Sequence, residues 1–162
     1  MPQAKIHLPQ IQTVTLRGLS LFPDHPAISL NFSHDVLCFA GANGIGKSTL
    51  LAAISYGLTG IVAEPSRKFA SVEEYYKDCA KFAQSYFSGR VAEQDRDRAQ
   101  IDLQFALHDH QYELSRGLFE PETLRSLTIR SEEEVEYDGE NASPESREEF
   151  YRVSVAGGVG VR

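Results

Sequence analysis

Hydrophobic positions along the chain fall into three patterns, and each predicts a different kind of element. Ile101, Leu103, Phe105 and Leu107 alternate with Asp102, Gln104 and Ala106, the period of two expected of a strand with one wet face. After His108-Asp109-His110-Gln111 the stretch Tyr112-Glu113-Leu114-Ser115-Arg116 returns as a partner strand, so a hairpin is predicted. Leu127-Thr128-Ile129-Arg130 and Val135-Glu136-Tyr137 predict another pair of short strands, with Asp138-Gly139 as a turn after them. Nearer the N-terminus Thr13-Val14-Thr15-Leu16 reads as a strand. So does the alternation of Ile28, Leu30 and Phe32 with Ser29 and Asn31. Phe22-Pro23-Asp24-His25-Pro26 between them is a turn, because two prolines and an aspartate disfavour any regular element.

The second pattern is a continuous apolar run, Val36-Leu37-Cys38-Phe39-Ala40, which predicts a parallel strand covered on both faces. The third is helical. Leu50, Leu51, Ile54 and Leu58 recur at helical spacing, with Gly57 or Gly60 placed to close the helix. Residues 64–98 are helical and polar, beginning after Pro65 with Ser71 as N-cap and Glu74 at the capping-box position. Val72, Tyr75, Tyr76, Cys79, Phe82 and Ala83 form an apolar stripe followed by Tyr86 and Phe87, read as a packing face and not as a base-stacking surface. Ser143 caps and Pro144 opens a last helix running through Phe150 and Tyr151, and 153–162 predict no particular structure.

Between the apolar run and the first helix lies Gly41-Ala42-Asn43-Gly44-Ile45-Gly46-Lys47-Ser48-Thr49, which fits a phosphate-cradling loop at every defined position. Strand, glycine loop and helix together make an anion site. Successive backbone N–H groups turn inward, and the new helix adds its unpaired amides and positive dipole end. Gly41 ends the strand in a turn, while Gly44 and Gly46 admit positive φ and let the backbone approach phosphate oxygens. Lys47 is the candidate catalytic residue, a mobile ammonium beside the β- and γ-phosphates. Ser48 is the candidate Mg²⁺ ligand, and Thr49 is expected to face the α-phosphate. All nine residues, Ile45 included, are therefore candidates for nucleotide contact. A glycine-rich turn that matches by chance is the competing reading, and the flanking elements weigh against it.

Composition narrows the picture only a little. A chain of 162 residues has room for one domain, burying roughly 68–70% of its unfolded surface. Its hydrophobic fraction of 41% and charged fraction of 24% are those of an ordinary globular protein. No membrane span is evident, and residues 1–7 lack the apolar run of a secretory signal, so a cytoplasmic location is expected. Cys38 and Cys79 are read as reduced structural thiols, Cys38 in the core strand and Cys79 in a helix. The net charge of −7, from 16 lysines and arginines against 23 acids, argues against nonspecific nucleic-acid binding by this segment alone. Arg90, Arg96 and Arg98 are interleaved with Glu93, Asp95 and Asp97, which reads as a solvated mixed-charge stretch. His108 and His110 around Asp109 suggest a metal only weakly, because a hairpin tip supplies no further preorganised ligand.

Across roughly residues 13–60 the chain resembles the N-terminal ATP-binding lobe of the SMC-like ATPases, which include chromosome SMC proteins and the coiled-coil subunit of double-strand-break repair. The resemblance is carried by Leu16-Arg17-Gly18-Leu19, by Leu30-Asn31-Phe32, and by the run from Phe39 through the loop to Ile54. Asn43-Gly44 is its subtype marker, similar to ABC-type ATPases and unlike GTPases or small-molecule kinases. It implies an α/β fold: an ABC-type N-terminal half-domain of a P-loop NTPase, with an antiparallel β subdomain and a phosphate-loop helix. It implies ATP and Mg²⁺ as cofactors. It also implies that residues 1–162 are a partial ATPase domain, completed by a C-terminal lobe beyond a coiled coil or by a second copy in an ATP-sandwich dimer. The full protein would act on DNA, in repair, chromosome maintenance or phage defence.

Departures qualify that likeness. Ser20 stands where the family often has a basic residue. No apolar strand ends in Asp-Glu, the pair that would hold Mg²⁺ through water and orient the attacking water; Phe105-Ala106-Leu107-His108-Asp109 is the nearest segment. A glutamine loop is not identifiable, and Ala156-Gly157-Gly158 has the glycines of a Leu-Ser-Gly-Gly signature without its serine. The isolated chain is thus expected to bind ATP and hydrolyse it little. Two alternatives stand beside this: a small P-loop kinase with Arg90, Arg96 and Arg98 as a lid, and a noncatalytic nucleotide-sensing module.

Overall fold

The computed structural model describes residues 8–157 except 23, 26, 35, 45, 65, 120–123 and 133. The expectations for residues 1–7, Pro23, Pro26, Ile45, Pro65 and 158–162 therefore lie outside the described residues. In chain order the elements are β1 (Gln10–Arg17), β2 (Ala27–Asn31), α1 (Lys47–Thr59), α2 (Val72–Ser88), β3 (Gln100–Leu107), β4 (His110–Gly117), β5 (Leu124–Ser131), β6 (Glu134–Asp138) and α3 (Pro144–Gly157). A short 3-10 turn, Glu93–Asp95, leads into β3.

The predicted strand pairs merge into one six-stranded antiparallel sheet, ordered β2-β1-β3-β4-β5-β6. Its one long-range closure sets β1 beside β3, with Val14 opposite Leu103 and Leu16 opposite Ile101. That register is dictated by side-chain alternation, since a slip of one residue would turn both apolar sets to water. β3 and β4 form the expected hairpin, joined at His108-Asp109, with Phe105 opposite Tyr112 and their rings stacked at 4.8 Å. One face of the sheet carries Val14, Leu16, Ile101, Leu103, Phe105, Leu114 and Ile129, all buried. The other is polar, laced by Thr13 to Gln104, Arg17 to Asp102, Ser115 to Asp102 and Arg130 to Glu113.

Helices cover the apolar face, giving a two-layer arrangement. α1 lies on β3 so closely that a Cβ on Gly57 would stand 2.5 Å from Leu103 Cδ1 and 3.2 Å from Ile101 Cδ1. Gly57 is thus an interior packing residue, and it is Gly60, with φ 74°, that ends the helix. α2 packs through Cys79, Ala83 and Phe87, with Phe87 5.0 Å from the Tyr56 ring of α1. Its cap is the one expected: Ser71 Oγ accepts from the Glu74 amide at 3.1 Å, while Glu74 accepts from the Ala70 amide at 2.8 Å. The predicted stripe is broader than the buried one, since Val72 and Tyr76 are exposed. α3 extends past Tyr151 to Gly157, so helix replaces the unassigned start of the tail. Tyr151 is buried against the Tyr112 ring, and its hydroxyl donates to the Leu58 carbonyl at 2.7 Å. Burial pushes both phenols above their ordinary value. For Tyr151 the nearby Arg116 guanidinium opposes the shift and Glu148 adds to it.

One predicted element does not form. Residues 36–40 have no strand pairing, Val36 is 83% and Leu37 41% exposed, and Cys38 is exposed rather than in the core. A parallel strand draws its hydrogen bonds and both of its covers from neighbours. Among the described residues no parallel neighbour exists, because every pairing in the sheet is antiparallel. A groove of about 650 Å³ runs beside this segment, with Phe32, Leu37, Phe39, Leu51 and Ile54 on its apolar side and Gln10, Gln12, Ser33 and His34 on its polar side.

Candidate functional site

The glycine loop leads directly into α1. Gly46 is the N-cap residue, with φ 91° and ψ 8°, and Gly44 also has positive φ, 85°. Left-handed backbone at both positions is available to glycine at little cost and strains an L side chain. Gly44 has open space where a Cβ would stand, whereas a Cβ on Gly46 would meet Phe22 Cζ at 2.9 Å. The turn after β1 is therefore packed onto the end of the loop. Sequence reasoning missed this contact, because Phe22 lies among prolines and reads only as part of a turn.

Lys47, the first residue of α1, folds its side chain back over the loop. Its ammonium donates to the Gly41 and Ala42 carbonyls, both at 2.6 Å. Two of three donors are thereby engaged, which fixes the charge and leaves the third for an incoming acceptor. The N-cap of α1 makes no side-chain hydrogen bond, and no acid lies in the first turn of the helix. In α2, by contrast, Ser71 caps the helix and Glu73 and Glu74 occupy its first turn. Ala42, Asn43, Gly44 and Ser48 are exposed and Thr49 is buried; Ile45 lies outside the described residues. The donors and the fixed cation fit a polyphosphate. The exposed Ser48 hydroxyl fits the role of a ligand to its accompanying Mg²⁺.

A cleft of about 550 Å³ opens beside Phe22, lined also by Arg17, Ser20, His25, Gln94 and Arg98. The three arginines considered as a lid are engaged locally. Arg98 pairs with Asp95 at 2.6 Å, Arg96 approaches Glu93 at 3.8 Å, and the Arg90 guanidinium lies 3.8 Å over the Tyr86 ring. At the β3–β4 tip, His110 Nε2 lies 3.1 Å from Glu136, and its buried Nδ1 has no partner among the described residues. Those residues contain no group of three His, Cys, Asp or Glu side chains arranged to hold a metal. Nor is any described helix long and apolar enough to cross a membrane.

No curated protein matches the chain significantly. A family model described as AAA domain matches residues 13–155, well beyond the stretch that carries the resemblance in sequence. Its members are P-loop NTPases, found among others in SMC-like proteins, and the family implies nucleotide binding and ATPase activity in general. With the glycine loop, α1 and all of the sheet but the first three residues of β1 inside the matched region, this chain belongs to the AAA-domain family.

Proposed function

We propose that the chain binds Mg-ATP through residues 41–49 and forms the N-terminal, ABC-type lobe of an SMC-like ATPase. The observation that carries this reading is Lys47, whose ammonium is pinned by Gly41 and Ala42 beside the uncapped start of α1. Backbone amides at a helix start beside a fixed cation are the kind of donors an anion would take. The cleft beside Phe22 is large enough for the nucleoside end of the same ligand. In this role Lys47 would neutralise phosphate charge, and Ser48 would be a ligand to Mg²⁺, which when bound would supply further charge neutralisation.

Hydrolysis needs a group that orients the attacking water, and no Asp-Glu pair occurs in the sequence. A second lobe is the proposed source. Exposed Val36, Leu37 and Leu51, beside a groove of mixed polar and apolar lining, supply a face for it, where residues 36–40 would gain the strand partners they lack. The same missing pair favours, as second reading, a noncatalytic nucleotide-sensing module. Action on DNA belongs to the completed protein, since the net charge of −7 gives this segment no general affinity for phosphate backbones. Calorimetric titration of the chain with Mg-ATP tests the site. Wild type is expected to bind and Lys47→Ala to lose at least about tenfold in affinity, the scale of one charge-assisted contact. Equal binding by both would overturn the assignment, and phosphoryl transfer to a small acceptor by the isolated chain would move the reading to a kinase.

A further inference from the structure

Arg116 is a cation inside the protein. It lies on β4 with 1% of its side chain exposed, and Nη1 donates to Glu148 of α3 at 2.6 Å with Nη2 at 3.4 Å from the other carboxylate oxygen. A buried guanidinium requires such a partner, and the fork geometry fixes the two planes relative to each other. What it faces on its other side is the C-terminal end of α1. Nε donates to the Gly57 carbonyl at 3.4 Å, and the guanidinium lies 5.7 Å from the Tyr56 ring. The neighbouring carbonyl, Leu58, is taken by the Tyr151 hydroxyl of α3, and the Tyr56 hydroxyl donates to Gly117 of β4.

These are the carbonyls that a helix end leaves without intrahelical partners, and they carry the negative end of its dipole. In most helices water or a glycine turn satisfies them. Here the Tyr56 carbonyl accepts from Gly60, but those of Gly57 and Leu58 are held by β4 and α3 side chains. α1 is therefore clamped at one end and carries the glycine loop at the other, about 20 Å away along a rigid 13-residue helix.

We propose that Arg116, Glu148 and Tyr151 are positioning residues that couple the loop at the start of α1 to α3, so that nucleotide occupancy is felt at α3 and any displacement of α3 alters nucleotide affinity. The proposal rests on the phosphate-site reading above. Coupling of this kind is reciprocal: the factor by which nucleotide stabilises the clamped state equals the factor by which the clamp favours nucleotide.

The test is amide hydrogen exchange of the full chain with and without saturating Mg-ATP, read on peptides from α3 and from α1, alongside nucleotide affinity and thermal midpoint. In wild type, Mg-ATP is expected to slow exchange in α3 by about fivefold or more, the low end of ordinary intersite coupling. Glu148→Gln should abolish that response and weaken Mg-ATP binding by a similar factor, while nucleotide still protects the first turn of α1. Tyr151→Phe, which removes one hydroxyl and keeps the ring, should reduce the α3 response and carries the test if Glu148→Gln does not fold. A purely structural clamp would lower the thermal midpoint in both variants yet leave the α3 response to nucleotide intact. That result overturns the proposal, as does wild-type protection confined to the loop and the first turn of α1. If wild type and Lys47→Ala both ignore nucleotide, it is the phosphate-site reading that has failed.

Discussion

Gly46 shows how much one residue can decide. Its backbone sits at φ 91°, and the Phe22 ring closes the space where a side chain would begin. Gly46→Ala therefore meets two penalties, a left-handed conformation that costs an L residue roughly 1–2 kcal/mol and a contact that forces Phe22 aside. Gly44→Ala meets only the first, because nothing lies within 4 Å of its Cβ position. Denaturant titration should rank the two with Gly46→Ala the less stable, and Mg-ATP titration should show the larger loss of affinity in the same variant. Equal stabilities would mean that Phe22 yields without resistance. At the same scale, the positive φ of Gly44 and Gly46 was legible from the motif alone. Phe22 and Arg116 were not: their roles come from chain segments that meet only in three dimensions, which local spacing does not encode.

At the scale of elements, the sequence is most readable where one local rule decides. Period-two alternation placed β3 and β4, and the serine and glutamate three residues apart placed the start of α2. The apolar run at 36–40 misleads because hydrophobicity reports what a segment can pair with and not whether the pair is present. Glycine misleads similarly: Gly57 and Gly60 look alike as helix stops, and close packing on Leu103 makes the first an interior residue. The exposed segment has a direct chemical readout. A thiol-reactive probe at neutral pH should label Cys38 in the native chain and reach the buried Cys79 only with denaturant. Protection of Cys38 in the native chain would show that 36–40 is already covered, and would remove the groove as a docking face for a second lobe.

For the whole molecule, the strand order β2-β1-β3-β4-β5-β6 separates two kinds of assembly. β3 through β6 follow one another in both sequence and space, so their contacts are local. β1 reaches β3 only by closing the chain between Arg17 and Gln100, and that excursion contains β2, the glycine loop, α1 and α2. Local contacts form early and long closures late, since the entropy of closure is lost before the distant pairing compensates for it. The order of events expected from this is a meander of four strands first and the glycine loop last. A ligand that needs the finished loop has nothing to hold in the transition state. Stopped-flow measurements should then find that saturating Mg-ATP slows unfolding and leaves the refolding rate unchanged; acceleration of refolding would place the loop in the nucleus. Nucleotide would act on this protein as a brake on loss of structure, keeping the last part to assemble from being the first to leave.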